Sequence, residues 1–271
     1  MRVLLRVEHP WPLLRGRLVD RYQRFTAEIE LDSGERIRAH CVNPGRMEGQ
    51  VRPGARAWVS PVPAASKRKL RYTWELVEED GRIVGVNTVA PNRVVGELLA
   101  ARVLPGLRRF RALHREVAYA ERSRVDFLLD GATPHYLEVK NCHLRYADGR
   151  GYFPDSVSAR ATHHLRALTE VVAAGAKATV LFTIQRPDIE AIRPSILHDP
   201  EFAAAARAAG EAGVRFRAVT IQATPQALDV IREIPVELAP YQTHAHARWQ
   251  AEKLPWSGWR RDPRRVTPAE G

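Results

Sequence analysis

The chain has 271 residues, of which 45% are hydrophobic and 27% are charged, and its formal net charge is +11. This composition supports a folded core, and the length predicts one large domain or two modest ones. The basic balance favours a polyanionic partner, nucleic acid first, although biased genomic composition also produces arginine-rich surfaces.

The cysteines and the apolar runs bear on the cellular compartment. Cys41 and Cys142 form no CxxC pair, which argues against a zinc knuckle or a disulfide scaffold and for a reducing compartment. Glu8 and His9, with prolines beside them, interrupt the N-terminal apolar residues before a signal-peptide core forms. No run approaches the roughly 18–20 apolar residues of a membrane span. We therefore expect a cytoplasmic protein without membrane contact.

Residues 13–86 alternate apolar and polar side chains, which is typical of β-strands. The segment LRGRLVDRYQRFTAEIELDSGERIRAHCVN breaks at Asp-Ser-Gly in positions 32–34, and Asp-Gly at 80–81 marks a second hairpin. About five or six short strands in this length predict a small closed barrel such as an OB-fold, with a β-sandwich as the alternative. We assign residues 1–86 to this OB-like domain and expect it to bind nucleic acid.

Basic and aromatic residues are interleaved at two places in this domain, as a nucleic-acid surface requires. Tyr22, Arg24 and Phe25 lie in an early strand, where packing inside the barrel is the alternative for the two rings. Arg46 follows a glycine and is placed to reach a phosphate. The densest basic cluster is our first choice for contact with the DNA backbone, with a solvated loop as the alternative. It consists of Lys67, Arg68, Lys69 and Arg71.

The pattern changes at residues 91–92, where helical spacing replaces alternation. Three strand-like runs follow, then a second, amphipathic helix, the nearly continuous apolar strand KATVLFTIQR, a third helix and a final strand. This order predicts a mixed-sheet α/β domain over residues 87–240. Residues 241–271 contain three of the six tryptophans and six Lys or Arg against three Asp or Glu. We expect this segment to be a basic, flexible tail.

The stretch SRVDFLLDGATPHYLEVK predicts a hairpin that turns at residues 130–133. Asp126 and Glu138 are equidistant from Ala132, so a turn centred there places them opposite each other with Cβ atoms ~5 Å apart. Strand alternation puts Lys140 on the same face. The opposite face is apolar, and it carries Val125, Phe127, Leu129, Leu137 and Val139.

Two carboxylates this close repel each other, and one takes up a proton unless a cation joins them. Mg²⁺ or Mn²⁺ held by Asp126 and Glu138 meets this need, since Mg²⁺ prefers one or two carboxylates plus water and phosphate oxygens. Lys140 would then orient or deprotonate a water molecule or stabilise the reacting phosphate, which is the chemistry of metal-dependent phosphodiester cleavage. The alternative is a salt bridge to Lys140 on a solvated face.

The surrounding elements resemble the core of PD-(D/E)xK nucleases. In this resemblance Asp126 stands for the PD aspartate and residues 138–140 for the ExK motif, while a valine replaces the proline. Glu97, on the preceding helix, is a candidate for a further ligand, with a solvated helix face as the alternative. Gln185 ends the buried strand and is a candidate for contact with substrate or phosphate.

The segment before the second helix offers one more candidate. Asp155 is a possible addition to the site, and capping of the helix is the alternative for it. His163 and His164 follow in the helix, where neither has a carboxylate or cysteine at useful spacing. We expect both histidines to form polar surface and not a zinc site.

The sequence also resembles the sugar fermentation stimulation protein A family. The matching pieces cover about residues 10–225 in the family order: RYQRF, HCVNPGRM, SKRKLRYTWEL, VGVNTVAPN, SRVDFLL, EVKNCHL, YFPDSVSAR with HHL, VLFTIQRPD and Asp199-Pro200. The resemblance implies an OB-like domain, a nuclease-like domain, non-specific DNA binding and a regulatory role in sugar (maltose) metabolism. The chain departs from the family at Pro44, where a threonine is usual, and at His163, where a lysine is usual.

These residues are compatible with two main functions. The first is a DNA-binding protein whose C-terminal domain is an Mg²⁺- or Mn²⁺-dependent nuclease. The second is a non-catalytic DNA-binding regulator that keeps the nuclease fold without turnover. A small-molecule or RNA enzyme on the same scaffold is a third alternative.

Overall fold

The computed structural model describes residues 3–120 and 123–262. In chain order the strands of the N-terminal half are β1 (Leu5–Glu8), β2 (Leu14–Tyr22), β3 (Thr26–Leu31), β4 (Arg36–His40), β5 (Arg56–Pro61), β6 (Tyr72–Glu79) and β7 (Arg82–Gly85). The later strands are β8 (Ala112–Ala120), β9 (Ser123–Asp130), β10 (His135–Cys142), β11 (Leu144–Arg145), β12 (Arg150–Phe153), β13 (Lys177–Ile184), β14 (Ala191–Pro194), β15 (Arg215–Ala223) and β16 (Ala227–Ile234). The helices are α1 (Ala90–Ala100), α2 (Ala159–Ala173), α3 (Pro200–Glu211) and α4 (His246–Lys253), followed by a 3₁₀ turn at Leu254–Trp256. Within the described ranges, no helix has the length and apolar character needed to cross a membrane.

The N-terminal domain is the predicted OB-like barrel. Its strands run in the order β4-β3-β2-β5-β6-β7, and β4 also pairs with β6, which closes a five-stranded barrel from β2 to β6. The alternation in the sequence directs apolar side chains inward, where Ile29 and Trp74 are fully buried. The two predicted hairpins join β3 to β4 and β6 to β7. Each turn contains a glycine with positive φ, Gly34 at 86° and Gly81 at 74°.

The C-terminal domain is the predicted mixed sheet between helices. Its strand order is β1-β16-β15-β13-β10-β9-β8, with β10, β13 and β15 parallel to one another. Leu98 of α1 packs on one face of the sheet, whereas Leu168 of α2 and Phe202 of α3 pack on the other. The barrel residues Trp58 and Leu76 join the core on the α1 side. The barrel therefore lies against the face of the sheet that α1 covers.

Strand β1 belongs to the large sheet and not to the barrel. It pairs antiparallel with β16, so that Leu5 lies opposite Val230 and Val7 lies opposite Leu228. The structure therefore takes this strand out of the domain assigned to residues 1–86, because position along the chain does not reveal the sheet that a strand joins. The chain thus contributes one strand to the large sheet, forms the barrel and then returns to the sheet.

The expectation of a flexible tail is wrong for residues 241–262, which pack across both domains. The carbonyl of Trp256 accepts a hydrogen bond from the Val51 amide at 2.9 Å. The guanidinium of Arg38 donates two hydrogen bonds, of 2.7 and 2.8 Å, to the Asp262 carboxylate. The basic, tryptophan-rich composition pointed to disorder, but these contacts order the segment. The remainder of the predicted tail, residues 263–271, lies outside the described residues.

Candidate functional site

The hairpin of β9 and β10 has the register that the sequence predicts. Leu137 pairs with Phe127 and His135 with Leu129, and one further step along the same ladder puts position 138 opposite 126. The Asp126 carboxylate reaches across this step, because its Oδ2 accepts a hydrogen bond from the amide of Val139 at 2.7 Å. The apolar face of the hairpin is buried in the core next to α1.

Asp126 is held between the hairpin and α1. Its Oδ1 accepts a hydrogen bond of 2.7 Å from the side-chain amide of Asn92, in the first turn of α1. Burial, followed by the negative charge of Glu138, raises the pKa of Asp126 to about 6. Asp126 therefore keeps its proton to a higher pH than an isolated carboxyl group does, as expected for one of two carboxylates that share a site.

Glu138 is almost fully buried, and its two oxygens have different surroundings. Oε1 accepts hydrogen bonds from Lys140 Nζ at 2.7 Å and from His164 Nδ1 at 2.5 Å. Oε2 is buried and has no hydrogen-bond partner in the described part of the chain. Burial alone would raise the pKa of Glu138, but Lys140 and His164 outweigh it and hold this pKa below its usual value. Glu138 is therefore a carboxylate with one saturated oxygen and one free oxygen.

Tyr119, on β8, adds a second unpartnered group to this neighbourhood. Its hydroxyl is buried without a hydrogen-bond partner in residues 3–120 and 123–262. Burial, together with the negative charges of Glu138 and Asp126, raises the pKa of Tyr119, so the phenol stays protonated. The site thus contains a neutral donor and an unused carboxylate oxygen that do not bond each other.

The expectation that both histidines form polar surface is wrong for His164. His163 is exposed, but His164 lies on the buried face of α2 and bonds Glu138. His164 lies on the apolar stripe of the helix, and this spacing indicates that it is buried. The other residues of the stripe include Ala161, Leu165 and Leu168. Spacing along the chain does not reveal the contact, because the carboxylate comes from β10.

The two carboxylates fit a divalent cation that takes few protein ligands. No group of three or more His, Cys, Asp or Glu side chains in the described ranges is arranged to hold a metal ion. Mg²⁺ does not need such a cage, since it usually keeps several waters and binds one or two carboxylates. The unpartnered Oε2 of Glu138 is the observation that favours a cation here. Lys140 also forms the salt bridge with Glu138 that the alternative from the sequence expects, but the two side chains are only 13% and 4% exposed and so do not lie on a solvated face.

The three additional site candidates do not join this pair. Glu97 is exposed on α1, and no metal-holding group in the described chain includes it. Gln185 is buried and donates to the carbonyl of Asn87 at 3.0 Å and to Asn141 Oδ1 at 3.1 Å. It therefore ties the large sheet to the segment that follows the barrel.

Asp155 also joins the two domains. Its Oδ2 accepts a hydrogen bond from the amide of Met47 at 3.2 Å and lies 3.6 Å from His143 Nε2. Burial acts to raise the pKa of Asp155, but the contacts with His143 and Met47 lower it to about 2. Asp155 is thus an ionised anchor for the barrel loop at residues 43–47. Ser158, and not Asp155, caps α2 by accepting a hydrogen bond from Ala161.

A cleft of about 770 Å³ lies between the barrel and the C-terminal domain, next to Lys140. The barrel contributes Arg24 and the loop at residues 43–45, and the C-terminal domain contributes Lys140, Asn141 and Arg160. Three cations from the two domains therefore face one space, against the single carboxylate of Asp155, and this excess of positive charge suits a polyanion. Lys140, which bonds Glu138, links the cleft to the carboxylate pair. A second cavity of about 740 Å³, lined by the tail, lies apart from these residues and mixes acidic with basic groups.

The predicted nucleic-acid contacts of the barrel divide into exposed and buried residues. Tyr22 is buried under the guanidinium of Arg38, so its ring is not available for base stacking and that assignment is corrected. Arg24, Phe25 and Arg46 are exposed. Arg24 lines the cleft, so this part of the prediction adjoins the carboxylate pair.

The basic cluster at residues 67–71 is an exposed loop whose members differ. Lys67 and Lys69 are exposed, and Arg68 donates to the Thr73 hydroxyl at 3.3 Å. The guanidinium of Arg71 donates to three backbone carbonyls of the same loop, at residues 62, 63 and 66. Arg71 therefore shapes the loop, and the two lysines are the freer cations.

Comparisons with known proteins match both domains. The family model of the SfsA N-terminal OB domain matches residues 19–86, and that of the sugar fermentation stimulation protein RE domain matches residues 89–227. The sugar fermentation stimulation protein homolog of Caulobacter vibrioides is 45% identical over 239 residues, which cover 88% of this chain and 97% of that protein. The homolog of Maricaulis maris is 41% identical over 235 residues, covering 86% and 100%. The structure of Pyrococcus furiosus SfsA in complex with Ca²⁺ is 26% identical, with a TM-score of 0.79, and covers 88% and 100%.

Proposed function

This chain belongs to the sugar fermentation stimulation protein family, and from that premise we propose that it binds DNA largely without sequence specificity. We propose further that its C-terminal domain hydrolyses phosphodiester bonds with Mg²⁺ or Mn²⁺. The net charge of +11 and the cations of the cleft support a polyanionic ligand.

One observation carries the catalytic part of the proposal. The Glu138 carboxylate is buried beside a second carboxylate and still has an oxygen without a partner in the described residues. An unsatisfied buried polar group costs about 1–3 kcal/mol, and more if it is charged. A cation that binds Oε2 would remove this cost. The Ca²⁺ in the Pyrococcus furiosus relative supports a divalent cation site in this chain.

Asp126 and Glu138 would hold the ion, with water and phosphate oxygens as its other ligands. The bound ion would supply Lewis-acid polarisation of the phosphate and a water of lowered pKa. The reaction is hydrolysis: a water oxygen bonds to phosphorus and releases one proton to solvent, one P–O ester bond breaks, and the released sugar oxygen takes up a proton.

The cations of the chain have separate roles in this proposal. Lys140 donates to Glu138 and also lines the cleft, so its ammonium group can hold a phosphate oxygen close to the carboxylates. Arg24 and Arg160 add positive charge from the two walls of the cleft. These groups position the DNA backbone and stabilise the charge that grows on the phosphate.

A second function, DNA binding without turnover, is favoured by a different observation. Both oxygens of Asp126 accept hydrogen bonds from the protein, and Lys140 pairs with Glu138. This arrangement satisfies three of the four carboxylate oxygens without a metal. The carboxylates would then serve the structure, and the chain would act as a non-catalytic regulator.

The two functions are separated by a cleavage assay on labelled single- and double-stranded DNA with and without Mn²⁺. The catalytic proposal expects the parent to cut, and expects Asp126→Ala and Lys140→Ala to abolish cutting while both still bind DNA. Glu97→Gln is the control, because it changes an exposed acid outside the site. Unchanged cleavage in Lys140→Ala would remove the role assigned to it. Salt-sensitive binding with no cutting under any metal would favour the regulator.

A cytoplasmic location is part of the same proposal. Cys41 and Cys142 are both buried and unbridged, which suits a compartment that keeps thiols reduced. A role in sugar metabolism stays a prediction from the family resemblance. The test compares the growth on maltose of a strain that carries the parent protein with that of a strain that carries Asp126→Ala.

A further inference from the structure

The hairpin tip between β2 and β3 is held in a strained conformation beside the cleft. Gln23 and Arg24 have φ of 47° and 67°, a region that costs residues other than glycine on the order of 1–3 kcal/mol. A buried cation maintains it: Arg21 donates to the carbonyls of Arg24 at 2.9 Å, Gly45 at 2.9 Å and Asn43 at 2.6 Å. Arg21 thereby fixes the tip against the loop that lines the cleft.

The C-terminal segment completes this tip. The amide of Arg260 donates to the carbonyl of Arg21 at 2.9 Å, and the amide of Gln23 donates to the carbonyl of Arg260 at 3.0 Å. Arg21 also donates to the carbonyl of Gly258 at 3.2 Å. These bonds lock Trp259 next to the hairpin. The family models end at residue 227, so Trp259 comes from outside the matched region.

The guanidinium of Arg24 contacts two rings that are each less than half exposed. The guanidinium carbon of Arg24 lies 4.8 Å from the centroid of the Trp259 ring and 5.9 Å from that of Phe25. Phe25 is 45% exposed and Trp259 is 42% exposed, although large aromatic side chains usually bury most of their surface. Arg24 also lines the cleft. Arg24 therefore connects the cleft to the two rings, which lie outside its lining.

We propose that Phe25, Arg24 and Trp259 form a stacking surface for the unpaired bases of single-stranded DNA. The inference rests on the proposed DNA binding and adds the class of substrate. Exposed aromatic faces gain most from bases whose own faces are free, and sequence-blind single-strand proteins combine such rings with a basic groove. The bases of a duplex already stack on their neighbours, so a duplex would contact the cations through its phosphates and would not stack on the rings.

The test measures the affinity of the full chain for a fluorescent thymidine 20-mer and for a 20-base-pair duplex, at one salt concentration. Phe25→Ala and Trp259→Ala should each weaken single-strand binding about 5- to 150-fold and leave duplex binding within about twofold. Trp259→Phe should keep most of the affinity, since it keeps a ring. Trp256→Ala is the matched control: Trp256 lies in the same segment, is 36% exposed and stacks with Arg52 at 5.0 Å.

Two outcomes would overturn the inference and are distinguishable. If the parent binds single strands and neither alanine variant changes that affinity, the stacking surface is wrong while the proposed DNA binding stands. If the parent binds neither probe, the proposed function itself fails. Circular dichroism of each variant verifies that Trp259→Ala remains folded. If it does not, Phe25→Ala decides, because single-strand affinity that is unchanged in that variant refutes the stacking surface.

Discussion

His164 provides the sharpest test of how the site is built, because it holds the oxygen of Glu138 that the proposed cation does not use. Its Nδ1 lies 2.5 Å from Glu138 Oε1, and Lys140 supplies the other hydrogen bond to that oxygen. Because an ionised carboxylate only accepts, Nδ1 carries the proton. His164→Ala removes one of these two bonds, and a hydrogen bond to a charged group contributes about 1.5–3 kcal/mol.

The same change should loosen the orientation of Glu138 and with it the binding of a metal. Loss of a residue that orients a metal ligand typically lowers metal affinity about 10- to 100-fold, so we expect Mn²⁺ to bind His164→Ala weaker by that factor. His164→Asn should recover most of this loss, because the asparagine amide can place a donor near the position of Nδ1. His163→Ala is the control, since His163 is exposed one residue away.

The assay is isothermal titration with Mn²⁺, with thermal unfolding of the metal-free variants run beside it. The reasoning is refuted if His164→Ala binds Mn²⁺ as tightly as the parent. It is also refuted if the alanine and asparagine variants lose the same affinity, because the hydrogen-bond donor would then have no part in the effect.

Three further predictions concern pH, the tail and the domain junction. Because the pKa of Asp126 is about 6, only about a tenth of this carboxyl group is ionised at pH 5. The affinity for Mn²⁺, measured by titration calorimetry, should therefore fall about tenfold from pH 8 to pH 5. An affinity that does not change with pH contradicts this. The metal-free chain should lose stability as pH rises from about 4 to about 6, since the folded state holds this proton more tightly than the unfolded chain. Lys253→Ala breaks an ion pair with a buried glutamate and should cost about 1–2 kcal/mol in urea unfolding, against less than about 0.5 kcal/mol for Arg248→Ala, an exposed helical pair. Gly45→Ala should cost about 1–3 kcal/mol, because a Cβ there overlaps the facing carboxylate. Gly131→Ala, where the nearest atom is 3.7 Å from the added Cβ, should be tolerated; equal losses would contradict the close contact.

The hairpin at the centre of the site follows from the sequence because its determinants are local. A turn signal and strict alternation on both sides fix the register, and the ladder at Leu137 and Phe127 agrees with it. The same local logic predicts the barrel hairpins that short turns join, namely β2–β3, β3–β4 and β6–β7. The longer segment at residues 41–55 and the parallel pairing of β4 with β6 are not local in this sense. Turn position and alternation therefore suffice to bring Asp126, Glu138 and Lys140 to one face of the hairpin.

The contacts that the sequence does not reveal all join residues far apart in the chain. His164 meets Glu138 across 26 positions, and Lys253 meets Glu79 across 174. Local periodicity gives the face of an element on which a residue lies, but not the element opposite to it. The burial of Tyr22 on β2 has the same origin, since Arg38 on β4, two strands away in the sheet, covers its ring. The expectation of a flexible tail fails for residues 241–262 because composition indicates how well a segment is solvated and not whether it packs on the rest of the protein.

The proposed chemistry depends on a divalent cation shared by Asp126 and Glu138. Anomalous diffraction from a crystal soaked in Mn²⁺ measures this directly. We expect a single strong peak between the two carboxylates that is bonded to Glu138 Oε2, and no peak at this place in Glu138→Gln. A parent crystal with no peak there, while Lys140 and His164 still hold Oε1, would contradict the shared site.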